Sequence, residues 1–196
     1  MPPGSREILF VTGNQHKVEE ANRILFPLGL KVKMADCEKI EIQSNSLASI
    51  AEYAAMLAAK KMCAPVIVED SGLFIGALGG FPGPYSSFVF KTLGCEGVLR
   101  LLHGIPNRGS SFQCAVSYCL PDAAPKTFGG RADGAISANA RGSMGFGFDP
   151  IFLPSKGGGR TFAELSMEEK GLLSHRGAAF RGLGAWLSSR KENSRS

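Results

Sequence analysis

Short apolar runs alternate with amphipathic stretches along this chain, the pattern of strands interleaved with helices. Ile8-Leu9-Phe10-Val11 predicts a central strand. A helix is expected after Thr12-Gly13-Asn14-Gln15-His16-Lys17, with Val18, Ala21, Leu25 and Leu28 on one face and Glu19, Glu20 and Arg23 on another. Lys31 to Ala35 reads as a second strand, Val32 and Met34 alternating with lysines. Leu47, Ile50, Ala54, Leu57 and Ala58 form the stripe of a second helix. Its cap is Ser46 or Ser49, the latter with Glu52 three residues on. Val66-Ile67-Val68 are β-branched and predict a strand buried on both faces. Pro65 marks its entry and Gly72 its exit, so that it ends on Glu69 and Asp70.

The segment Gly79-Gly80-Phe81-Pro82-Gly83-Pro84-Tyr85-Ser86-Ser87 is a stiff, shaped loop. Val89 to Leu102 predicts a helix in two pieces broken at Gly94-Cys95. Ser111 to Leu120 alternates as a half-buried strand, and Lys126 to Ile136 as its hairpin partner across a turn at Pro121 to Pro125. Gly129, Gly130 and Gly134 suggest bulges or bends in that partner. Ser166-Met167-Glu168-Glu169 is a capping box. Ser174-His175-Arg176 opens a last helix carried by Ala179, Leu183, Trp186 and Leu187, and residues 190–196 read as a disordered tail.

With 196 residues and 44% hydrophobic positions, one domain with a sizeable core is expected over residues 1–196. The net charge of +5 favours anionic partners. No basic block carries interleaved aromatics, which argues against nucleic-acid binding. Five cysteines without a Cys-x-x-Cys pair, beside three histidines, argue against zinc and for reduced thiols. The first seven residues hold no apolar signal region, and no run approaches the ~20 apolar residues that span a bilayer. A soluble, cytoplasmic protein without membrane partners is expected.

Four stretches carry candidate chemistry. Glu69 and Asp70 are adjacent like charges that repel unless a cation or a proton relieves them. Strand, glycine turn and helix at Thr12 to Lys17 aim backbone N–H groups and a helix N-terminus at an anion, although the spacing is not that of a Walker loop. Phe146 and Phe148, set among glycines, suit either base stacking or the core, and Asp149 is held extended before Pro150. His175 and Arg176 are cations at the unfavourable end of a helix, which calls for an acceptor-rich ligand or a nearby acid. Glu41, between Ile40 and Ile42, faces solvent or the acidic strand end, with no preference from the pattern.

Taken in order, Thr12-Gly13-Asn14 with Lys17, Val68 to Leu73, Gly79 to Ser86, Phe146 to Phe152, and Glu169-Lys170 with Ser174-His175-Arg176 cover roughly residues 8 to 187. In these motifs the chain resembles the inosine triphosphate pyrophosphatases, the HAM1-like family that acts on noncanonical purine nucleoside triphosphates. The resemblance implies an α/β fold: a long twisted mixed sheet flanked by helices, with two lobes and a nucleotide cleft between them. It implies Mg²⁺-dependent hydrolysis of ITP, dITP and XTP to the monophosphate and pyrophosphate, by a homodimer that clears these nucleotides from the pool. Asp70 would be the general base and a metal ligand, with Glu41 the second acid on the metal. Thr12, Gly13, Asn14 and Lys17 would cradle the triphosphate, and Ser71 would touch it. Phe146, Gly147, Phe148, Asp149, Lys170, His175 and Arg176 would hold the base and sugar. Some relatives carry a basic residue where this chain has Ser87; the role of Lys91, one helical turn on, stays open. So do contributions of Glu38 or Glu69 to the metal. Two other readings compete: a pyrophosphatase preferring pyrimidine or modified nucleotides, and a non-catalytic nucleotide-binding module.

Overall fold

A computed structural model describes residues 6–37 and 40–193. In chain order the elements are β1 (Arg6–Val11), α1 (Gln15–Leu25), β2 (Leu30–Ala35), α2 (Leu47–Met62), β3 (Val66–Ile75), β4 (Pro82–Gly83), α3 (Ser86–Leu101), β5 (Gly109–Cys119), β6 (Lys126–Ile136), β7 (Phe152–Pro154), α4 (Met167–Leu173) and α5 (His175–Asn193). Seven strands form one mixed sheet in the order β2-β1-β3-β5-β6-β7, with β4 added to β3. The first three neighbours are parallel and all later pairs antiparallel. This is the α/β architecture expected, helices flanking a mixed sheet.

Strand alternation distributes the core. Ile8, Phe10 and Ile67 pack under α1 and α5, against Val18, Leu25, Phe180 and Leu183. Val11, Val66 and Val68 face the other way, onto Ala54, Ala55, Ala58 and Ala59 of α2. A second core gathers the far ends of β3, β5 and β6 around α3, through Leu73, Ile75, Val98, Phe112, Ile136, Phe152 and Phe162. These two regions are the lobes, and β3 runs through both.

The strand therefore does not end on its acids. It continues to Ile75, with Glu69, Asp70 and Ser71 at the junction of the lobes. Gly72 is no exit: a Cβ there would overlap the carbonyl oxygen of Gly83, where β4 lies against β3. Ser46, not Ser49, caps α2, its hydroxyl accepting from the Ser49 N–H. β5 is buried on both faces, not half-buried, because α2 covers Ala115, Ser117 and Cys119 while the opposite core takes Cys114, Val116 and Tyr118. α3 is kinked at Gly94, as the break at Gly94-Cys95 predicts. β6 keeps an unbroken register with β5, so its glycines make no bulge. Residues 190–193 continue α5 and are not a disordered tail; 194–196 lie outside the described residues.

Gly130 has a different use. A Cβ there would overlap the backbone carbonyl of His175, at the start of α5. Gly130→Ala is expected to push that helix start off the sheet, lowering stability by about 1–3 kcal/mol. A thermal melt reads this effect, and an unchanged melt would show that α5 gives way freely.

Candidate active site

A cleft of about 1080 Å³ opens between the lobes. One wall is the turn from β1 into α1, where Thr12 Oγ1 accepts from the Asn14 N–H and Asn14 Oδ1 caps α1 through the His16 N–H. Asp70 and Ser71 of β3 form the floor, and Ser87 and Lys91 of α3 line the far side. Phe146 to Asp149, His175 and Arg176 close the remaining wall. Glu41 reaches the same cleft as Asp70. Of the predicted site residues, Lys170 alone does not line it; it lies behind Asp149, buried.

Alternation along β3 separates the adjacent acids. Glu69 pairs in register with Val116, and Asp70 with Ala115, so their side chains leave opposite faces of the sheet. Glu69 points into the side under α1 and α5. There it meets Lys17 Nζ at 2.5 Å and Arg176 Nη2 at 3.1 Å, and the Cys114 thiol donates to it at 3.3 Å. Burial alone would raise its carboxyl, but the charges of Arg176 and Lys17 hold it well below the usual carboxylate range. Glu69 is thus committed to an internal ion network rather than to a metal.

The network extends further. Arg176 also donates to Glu20 at 2.7 Å and to Ser71 Oγ at 3.0 Å. Lys170 Nζ bridges Glu20 at 2.8 Å and Asp149 at 2.7 Å. Three cations, Lys17, Lys170 and Arg176, thereby face three carboxylates, Glu20, Glu69 and Asp149. Burial tends to raise Glu20, yet Arg176 and Lys170 pull it down to about 2. Asp149 goes the other way: burial raises it against the opposing pull of Lys170 and the Phe146 N–H. Arg176, the cation at the head of α5, thus finds its acids within the protein.

His175 is buried and stacks on Phe112, centroids 4.7 Å apart and rings 8° from parallel. Burial first, then the neighbouring Arg176 charge, pushes its pKa well below 6.5, so the ring is neutral at pH 7. Its Nδ1 has no hydrogen-bond partner among the described residues. Phe146 and Phe148 do not share a role. Phe148 is 2% exposed and belongs to the second core, edge-on to Phe90, whereas Phe146 faces the cleft.

Among the described residues, no three His, Cys, Asp or Glu side chains converge on a metal position. Two carboxylates on one cleft, Asp70 and Glu41, are instead the donor set that suits Mg²⁺, which takes one or two carboxylates and completes its shell with water and substrate phosphates. Glu38 lies outside the described residues.

A family model described as the Ham1 family matches residues 8–186. The chain belongs to the Ham1 family. It is 50% identical over 180 residues to a dITP/XTP pyrophosphatase of Methanopyrus kandleri, covering 92% of this chain and 95% of that one. It is 47% identical over 186 residues to one of Thermococcus kodakarensis, covering 95% and 98%. The structure of the Staphylococcus aureus Ham1 protein superposes with a TM-score of 0.81 at 34% identity, covering 94% of this chain and all of that one. In this Ham1 chain the patterns of the sequence missed Glu20, placed on the polar face of α1 with Glu19 and Arg23. It is the carboxylate shared by Lys170 and Arg176. Helical period gave no signal for it, because both of its partners lie far along the chain.

Proposed function

We propose that this Ham1 chain hydrolyses dITP, ITP and XTP to the monophosphate and pyrophosphate, with Mg²⁺, in the cytoplasm, clearing them from the nucleotide pool. One observation carries the reading: Asp70 and Glu41 share a cleft with the capped start of α1 and with the Phe146 ring. The dITP/XTP pyrophosphatase names of its relatives from M. kandleri and T. kodakarensis support it.

Asp70 and Glu41 would hold the Mg²⁺, which supplies positive charge to offset the phosphates and polarise the α-phosphoryl group. The Thr12-Gly13-Asn14 turn and the first N–H groups of α1 bind phosphate oxygens. Lys17 stands beside them, tethered by Glu69. Lys91 adds an exposed cation on the opposite wall. Asp70 takes a proton from a water as its oxygen bonds to the α-phosphorus. The bond to the β-phosphate oxygen breaks, and its electron pair leaves with pyrophosphate. The base stacks on Phe146, and the neutral His175 offers one ring N–H donor to the oxygen of a 6-oxo purine. A 6-amino group would leave that donor unpaired. Arg176, in the wall itself, fixes Ser71, and Lys170 fixes Asp149 from behind. Around the start of α3, Phe81, Tyr85 and Phe88 stand exposed, Phe88 by 67%. They support a second copy of the chain as partner in a homodimer.

Incubation with dITP and Mg²⁺ is expected to yield dIMP and pyrophosphate in equal amounts, at a rate well above that on ATP. Release of dIDP and inorganic phosphate would refute attack at the α-phosphorus.

A further inference from the structure

Phe146 is not an open platform. Its ring lies against the His16 imidazole, centroids 5.5 Å apart and planes 12° from parallel. Lys170 Nζ and Arg176 Cζ stand 4.9 Å and 5.2 Å from the same centroid. His16 sits in the first turn of α1, beside Lys17, whereas Phe146 belongs to the loop before β7. The pair therefore links the wall that receives phosphates to the wall that receives the base.

The His16 side chain is 57% exposed, and its acidic neighbour Glu19 is 3.9 Å away. Its main chain is anchored, because its N–H donates to Asn14 Oδ1. The ring is thus free to turn on a fixed backbone. A planar base between two rings needs a van der Waals gap of about 3.5 Å on each side, or about 7 Å between ring planes. The spacing of nearly parallel rings cannot exceed their centroid distance, so 5.5 Å does not admit a base.

Building on the function proposed above, we infer that His16 is a positioning residue for the purine. Its ring leaves Phe146 as the nucleotide enters and closes on the opposite face of the base, which is then stacked on both sides. A nucleotide lying along the cleft keeps its phosphates at the start of α1, so His16 stays within reach of the base. Stacking on the purine restores to the imidazole the contact it gives up with Phe146. The base is then clasped by the same helix turn that holds the phosphates, which ties recognition of one end to placement of the other.

Steady-state kinetics on dITP with His16→Ala and His16→Phe test this. His16→Ala is expected to raise KM about tenfold, with kcat within about threefold of the parent. His16→Phe, which keeps a flat ring, is expected to restore KM to near the parent value. A KM that is unchanged or lowered in His16→Ala, or equally raised in both variants, overturns the inference. Should the parent protein fail to hydrolyse dITP, the functional reading falls, and the clasp is tested alone by tryptophan emission of His16→Trp titrated with IMP. A saturable change with IMP that ribose 5-phosphate does not reproduce supports it. No change, or the same change with both, overturns it.

Discussion

Asp70→Asn is expected to lower kcat on dITP by about a thousandfold or more, while the variant still folds and melts cooperatively. Asparagine keeps the size of the side chain and removes its charge and its basicity. The register of β3 sends Asp70 to the face opposite Glu69, so neutralising it leaves the buried ion network untouched. Two roles have been assigned to this carboxylate, and a Mg²⁺ titration separates them. If Asp70 only binds the ion, activity returns at high Mg²⁺. If it also takes the proton, saturation with Mg²⁺ leaves kcat low. Glu41→Gln is expected to shift the Mg²⁺ dependence with a smaller loss of kcat, because Glu41 is assigned the first role alone. Turnover above a tenth of the parent in Asp70→Asn would mean that another group activates the water.

Local signals in the sequence proved sufficient where structure is local. The hairpin strand begins at Lys126 and ends at Ile136, as its place after the Pro121 to Pro125 turn predicts. The Ser166–Glu169 box caps α4, and α5 starts at His175. Each depends on residues within a few positions of one another. The failures share the opposite property. Gly72 reads as the end of a strand only while β4, ten residues on, is invisible; in place, β4 demands a residue without a side chain there. Glu20 falls on the polar face of α1 by helical period, yet its partner Arg176 lies 156 positions away. A period reports which face a residue occupies, not what stands opposite. The site shows the same division. Motif resemblance gathers Thr12 to Lys17, Asp70, Phe146 and His175 on one cleft, as the geometry has it. It cannot separate a residue that faces the cleft from one that supports it. Lys170, which the resemblance gives to the substrate, is buried behind the wall, whereas Phe148 lines the cleft but gives most of its ring to the second core.

Removal of the carboxylate at position 69 should be severely destabilising. Glu69→Ala is expected to cost about 3–5 kcal/mol, because it strands a buried guanidinium. For a chain of this length that corresponds to roughly 6–20 °C in melting temperature. Among the described residues, Arg176, 3% exposed, keeps only Glu20 as a carboxylate partner once Glu69 is gone, and Lys17 loses its one ion pair. The same network dictates the response to acid. His175 has a folded pKa well below 6.5, so as pH falls below 6.5 the unfolded chain gains a proton that the native ring refuses, and stability begins to drop. Glu20, at about 2 in the native state against 4.5 when free, adds a further loss of roughly 3 kcal/mol as pH falls from 4.5 towards 2. Glu69 acts in the same direction over the same range. Urea unfolding at pH 7, 5.5, 4 and 3 should therefore give a curve that bends near 6.5 and steepens below 4.5. In Glu69→Gln the whole curve should lie lower, with a shallower acid limb, since one of the depressed carboxylates is no longer there to be protonated. A parent curve flat from pH 7 to 3 would mean that these charges are not held together in solution, and the walls of the cleft would lose the framework that fixes Ser71, Asp149 and the head of α5.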